Sequence, residues 1–183
     1  MTTAPLVDFL RACAVEIEAR AQQATSRRGS LIDGSHAFTT ALAQSAPIAY
    51  EPSTAPVVSC LSDIEPSPLI DLFRAAQRNV RWVPSFRVDD GGTETALAPL
   101  NDVLDFDSVI CGLLAVGPRH RYPLHSHPPQ ELYLPLTSGG TWRFGGSDTH
   151  RELADDELVY NRPNDLHEVI AAATPLLALY VLW

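Results

Sequence analysis

Between Leu6 and Ile17 the apolar residues Leu6, Phe9, Leu10, Cys13, Ala14 and Ile17 recur at intervals of three and four, drawing one stripe along a helix. Arg27-Arg28-Gly29-Ser30 reads as the end of that helix. A second helix is expected between Ser35 and Ser45, with Pro47 as its stop. Residues 49–56 read as an irregular connection. Ser67-Pro68 then offers an N-cap and a first-turn proline for a third helix reaching about Arg78, with Leu69, Ile70, Leu72, Phe73 and Ala76 inward. Beyond Asn79 the period shortens. Residues 81–88 read as a strand and Asp89-Asp90-Gly91-Gly92 as a turn or loop. Strand-like runs follow at 108–116, 131–137, 141–144, 157–161, 167–172 and 176–183, separated by Gly, Pro, Asn and Asp. Short strands at regular spacing predict an all-β sandwich or barrel. The expected fold is therefore mainly β, with a helical region (1–80) packed on a β-barrel unit (81–183).

At 183 residues the chain fits one domain with a sizeable core. Its net charge of -9 argues against a nucleic-acid partner, which needs clustered Lys and Arg. Asp8, Glu16 and Glu18 interrupt the N-terminal apolar residues, unlike a signal peptide, and no apolar run is long enough to span a bilayer. Cys13, Cys60 and Cys111 are widely spaced and form no C-x-x-C, as expected of reduced thiols in a cytoplasmic protein.

The chemistry concentrates in one stretch. Tyr122-Pro-Leu-His125-Ser-His127-Pro-Pro-Gln-Glu131-Leu-Tyr133 places His125 and His127 on one face of an extended chain. Pro128-Pro129 forces a turn, after which Glu131 and Tyr133 share one face and Leu132, Leu134 and Leu136 the other. Two imidazoles, a carboxylate and a phenol are thus expected to meet in one interior, presented by two adjacent strands. A turn at Arg162-Pro163-Asn164-Asp165 adds His167 at the start of a later strand. Imidazole and carboxylate suit one divalent transition metal (Zn, Fe, Mn, Co or Ni), and the spacing leaves open whether His125 and His127 bind it together.

The His-x-His-xxx-Glu run and the later Pro-xxx-His resemble the two motifs of the cupins, although seven residues lie between Gly117 and His125 and Asp165 occupies the usual glycine. The Glu131-Leu-Tyr133 extension, Tyr122 and the helical N-terminal region resemble more closely the cupin-type dimethylsulfoniopropionate lyases of marine bacteria. That resemblance implies a cupin (double-stranded β-helix) fold and a metal held by His125, His127, Glu131 and His167. It implies Tyr133 as the base that removes the alpha proton, and Tyr122 as an aid to substrate binding. The reaction implied is a β-elimination giving acrylate and dimethyl sulfide. A sulfonium needs cation-tolerant walls, for which Trp142, Tyr160 and Tyr180 are candidates.

Other readings remain at this level: a metal-dependent dioxygenase or isomerase, a non-catalytic cupin that binds small molecules, or a lyase for another β-substituted acid. The partner in each is a small molecule, and the chain is expected as a monomer or homodimer. The helical part, or residues 89–99 with Gly91-Gly92, is a candidate lid over the barrel mouth.

Overall fold

The structure is a computed structural model, and it describes residues 3–85, 87 and 93–183. Helix α1 (Ala4–Gln23) buries the expected stripe and extends it to Ala21. Helix α2 (Arg28–Gln44) starts earlier than the pattern predicts, directly after Arg27, whose φ of 55° turns the chain. Arg28, Gly29 and Ser30 therefore open α2 rather than close α1. Gly29 stands in open space, where a helical glycine costs only about 1 kcal/mol against alanine. Gly34 has a packing reason instead. A Cβ there would lie 2.5 Å from the Trp183 ring and 2.7 Å from Leu132, so only glycine lets α2 approach this closely.

Helix α3 (Pro68–Ala76) starts as expected, with Ser67 Oγ accepting the Ile70 N–H at 3.3 Å. It buries Ile70, Phe73 and Ala76, and its last turn tightens into a 3₁₀ turn at Gln77–Asn79. A longer 3₁₀ segment, Pro56–Asp63, begins at the last residue of the irregular connection read at 49–56 and buries Val57 and Leu61.

The strands are β1 (Ala46–Pro47), β2 (Val83–Pro84), β3 (Thr95–Pro99), β4 (Leu104–Asp105), β5 (Ile110–Val116), β6 (Arg121–His125), β7 (Glu131–Pro135), β8 (Thr141–Arg143), β9 (Arg151–Glu152), β10 (Val159–Asn161), β11 (His167–Ile170) and β12 (Leu176–Leu182). They form a six-stranded sheet in the order β10-β7-β12-β5-β3-β2 and a four-stranded sheet β6-β11-β8-β9, with β1 and β4 as a separate pair. Every pairing among these strands is antiparallel.

Alternation then builds three layers. On β5, β7 and β12 the residues Leu113, Ala115, Leu132, Leu134, Leu177 and Leu179 join Phe9, Phe38 and Phe73 of the helices in one core. Their neighbours Leu114, Val116, Tyr133 and Ala178 face Tyr122, Trp142 and Val169 of the four-stranded sheet in a second core. The helices thus cover one face of the large sheet, and the small sheet covers the other. This is the expected fold class.

Three expectations change. Of residues 81–88 only Val83–Pro84 is a strand within the described chain. The lid candidate is divided: Asp89, Asp90, Gly91 and Gly92 lie outside the described residues, while Thr95–Pro99 is β3, paired with β5 and largely buried. Lastly, β6 and β7 are consecutive but not adjacent, because Pro128-Pro129 carries the chain from the small sheet to the large one. None of the described helices is long and apolar enough to cross a membrane.

Candidate metal centre

His125 ends β6 and His167 begins β11, and the two are register partners with ring centroids 4.1 Å apart. The register slips immediately beyond them, between His167 and Val169. His127 lies two residues past the end of β6, its ring 5.0 Å from that of His167 and 6.1 Å from that of His125. One ligand atom from each of the three histidines falls within 4.8 Å of the others. Glu131 reaches in from the opposite sheet. Its Oε2 lies 3.1 Å from Nε2 of His127 and 3.1 Å from Nε2 of His167.

One turn and one backbone hydrogen bond hold this arrangement. Asn164 takes a left-handed φ of 63°, and Asp165 accepts hydrogen bonds from the backbone N–H and the guanidinium of Arg162. The Asn164 N–H donates to the His127 carbonyl at 2.8 Å, so the two histidine-bearing loops are tied to each other.

The second ring nitrogens are committed. Nδ1 of His125 bonds to the Pro123 carbonyl (2.7 Å), that of His127 to the Pro129 carbonyl (2.9 Å) and that of His167 to the Asp165 carbonyl (2.8 Å). A carbonyl can only accept, so each Nδ1 carries the proton and each Nε2 is left to bind something else. That is the arrangement by which backbone carbonyls orient metal-binding histidines. Nε2 of His167 is buried and makes no hydrogen bond among the described residues, although Glu131 Oε2 is close. Three imidazole lone pairs converging beside a carboxylate repel one another unless a cation or protons lie between them. The donor set therefore fits a divalent transition metal.

The electrostatics agree. Burial works against the charge on Glu131, but the hydrogen bond with His127 and the close imidazole of His167 outweigh it and hold the carboxyl down at about 2. Burial first, and the neighbouring His167 second, push His125 down to about 4, so it is neutral near pH 7. Burial also opposes charge on His127, yet its contact with Glu131 raises its pKa above the ordinary value.

Tyr133 stands two residues beyond Glu131 on the same face of β7. It is buried, with its ring 5.3 Å from Trp142 and 6.3 Å from Tyr180. Burial, and then the charge of Glu131, raise its pKa well above 10. Tyr122 lies on β6 with its ring 4.8 Å from that of His125. Its pKa is pushed up to about 12, mainly by burial, against the opposing charge of Arg87 and hydrogen bonds with Ser85 and Arg87.

The third aromatic candidate is corrected. Tyr160 packs in the helix-side core, 6.2 Å from Trp183, and its hydroxyl donates to Gln130 at 2.9 Å. Alternation explains this, since Val159 and Asn161 pair with Tyr133 and Glu131, and Tyr160 between them must point the other way. The residue that does reach the cluster is Asn161, whose Nδ2 donates to Glu131 Oε2 at 3.2 Å. Asn161 and Arg87 do not stand out in the sequence. Asn161 precedes Arg-Pro-Asn-Asp and reads as turn edge, and Arg87 carries no local pattern at all.

A family model described as dimethylsulfoniopropionate lyase matches residues 35–178. Among solved structures, that of the DMSP lyase DddQ from Ruegeria pomeroyi DSS-3 superposes with a TM-score of 0.72 at 18% identity, covering 96% of this chain and 91% of that one. A chain from the crystal structures of the DMSP lyases RdDddP and RnDddQII gives 0.70 at 19% identity, covering 94% and 93%. No curated protein sequence matches. At these identities the structural likeness establishes a shared fold over nearly the whole of each chain.

Proposed function

The chain belongs to the dimethylsulfoniopropionate lyase family of carbon–sulfur lyases, and from that premise we propose that it cleaves dimethylsulfoniopropionate to dimethyl sulfide and acrylate with the help of one divalent metal. The observation that carries the metal reading is the set of three Nδ1 bonds to backbone carbonyls, which leaves three Nε2 atoms available to a cation. In this reading His125, His127, Glu131 and His167 hold the metal, which is Zn, Fe, Mn, Co or Ni. When bound it supplies positive charge that favours a phenolate and the developing negative charge of a deprotonated carboxylic acid derivative.

The remaining steps belong to the chain. Tyr133 as phenolate takes the proton alpha to the substrate carboxylate. The C–H electron pair becomes the second bond between the alpha and beta carbons. The bond from the beta carbon to sulfur breaks with its pair on sulfur, so the sulfonium leaves as a neutral thioether. Tyr122 and the Arg87 side chain that neighbours it orient the carboxylate end. Trp142 and Tyr180, against Tyr133, offer ring faces to the sulfonium, a contact worth about 0.5–2 kcal/mol.

The test is release of dimethyl sulfide, followed by headspace gas chromatography, with acrylate measured in the same samples. Protein loaded separately with Zn, Mn, Fe, Co and Ni is compared with chelator-treated protein and with Tyr133→Phe. Equal amounts of both products, lost in both controls, support the reading. A folded, metal-loaded protein that forms neither product with any metal would remove the substrate and direct attention to oxygen-dependent chemistry.

A further inference from the structure

Asn161 is the last residue of β10, sits opposite Glu131 in the register and has no exposed surface. Its amide makes two contacts of 3.2 Å: Oδ1 accepts the Gly145 N–H, and Nδ2 donates to Glu131 Oε2. The ends of an asparagine amide are told apart by what they touch. A backbone N–H can only donate, so Gly145 claims the oxygen end and the nitrogen end is turned onto the carboxylate. The amide is therefore oriented by the backbone of a different segment and not by the carboxylate it serves. Gly145 follows β8 of the small sheet and has a φ of +62°, a conformation that suits glycine. Through the Asn161 amide a turn of one sheet is thus tied to a ligand candidate, Glu131, on the other.

The oxygen that Asn161 holds is also the one 3.1 Å from both His127 and His167. A free carboxylate rotates and exchanges its two oxygens. A fixed N–H donor on Oε2 stops that rotation and leaves the same oxygen facing the histidines.

We propose that Asn161 is a positioning residue for the metal centre: it fixes the rotation of the Glu131 carboxylate and so tunes how tightly, and in what geometry, a divalent metal is held. The inference rests on the metal reading above. Outer partners of this kind typically contribute about 10–100-fold in metal affinity.

The experiment uses the whole chain and Co²⁺, whose visible absorption reports coordination geometry. Affinity is measured by competition with a chromogenic chelator. Wild type is titrated first, and absence of Co²⁺ binding there would defeat the metal reading itself. With wild type binding, Asn161→Leu keeps the volume but removes the amide. It is expected to bind Co²⁺ about 10–100-fold more weakly, with an altered spectrum, at a stoichiometry that still reaches one ion when saturated. Asn161→Asp keeps an acceptor for Gly145 and replaces the donor with an oxygen, so it reports even if the leucine variant fails to fold. Its Co²⁺ spectrum must depart from wild type. Wild-type spectrum and affinity in the folded variants would overturn the inference and leave Asn161 as a structural tie between the sheets.

Discussion

His125 and His167 face each other as antiparallel partners at the ends of two strands, with ring centroids 4.1 Å apart and both Nδ1 protons given to the backbone. Rings this close cannot both hold an extra proton cheaply, and His125 is accordingly held at about 4 by burial and then by its partner. The pair is built to bring two lone pairs to one point. Removing either should therefore abolish tight metal binding, not merely weaken it: His125→Ala and His167→Ala are each expected to lose more than about 100-fold in Zn²⁺ affinity by calorimetry. His127→Ala in the same series decides whether all three imidazoles bind at once. Near wild-type affinity in that variant would give His127 to the substrate instead.

Proton competition follows from His127. Its pKa is raised by Glu131 in the metal-free protein, so near neutral pH part of the population carries a proton where a metal would bind. Binding must expel that proton, and apparent affinity should fall as pH drops through the His127 pKa, by about tenfold per unit below it. Glu131, held at about 2, stays ionised throughout and adds no slope of its own. Calorimetric titrations from about pH 6 to about pH 8 measure this directly. The substitution His127→Asn removes the titrating ring and should flatten the dependence. A flat profile in wild type would show that the Glu131 contact does not hold a proton on His127.

What could be read in advance was what depends on nearby residues. The α1 stripe and the Ser67 cap are local, and each has its expected form; the His-x-His-xxx-Glu spacing is local too, and its side chains do come together. Sheet membership is not local. Alternation tells which way a side chain points but not which sheet its strand joins, so β6 and β7 read as neighbours although the chain crosses between sheets at Pro128-Pro129. The same gap hid Asn161 and promoted Tyr160, because the face of β10 is settled by its register with β7. Thr95–Pro99, rich in Ala and flanked by loop residues, has weak strand character; it is a strand because β5 and β2 pair with it on either side.

Gly112 makes a testable allowance for the aromatic wall. In the large sheet Gly112, Tyr180 and Tyr133 form one row across β5, β12 and β7. A Cβ at Gly112 would collide with the Tyr180 hydroxyl and ring and lie 2.7 Å from the Ala98 carbonyl. Gly112→Ala is expected to cost about 1–3 kcal/mol in chemical denaturation and to reduce turnover by displacing Tyr180 from Tyr133. Tyr180→Phe removes the nearest atom, so the same glycine substitution should cost less in that background. Equal costs in the two backgrounds would mean that Gly112 is not making room for Tyr180.

The proposed base needs the metal most. Tyr133 is enclosed beside a carboxylate, and burial and that negative charge both keep its proton on, well above pH 10. Without a cation the site is therefore arranged against the phenolate that the elimination requires. A divalent ion bound by Glu131 and the histidines cancels the carboxylate and adds positive charge, reversing the second cause while leaving the first. The Tyr133 pKa should consequently fall on loading with Zn²⁺, seen as tyrosinate absorbance appearing at lower pH than in the chelated protein. The change should be absent from Tyr133→Phe, which removes the signal of Tyr133 but not those of Tyr122 and Tyr180. The same variant should keep its metal and its fold and lose about 10²–10⁴-fold in turnover. Should metal leave the Tyr133 titration where it was while activity persists, another group takes the alpha proton, and Tyr122, beside His125 and Arg87, would be the next to substitute.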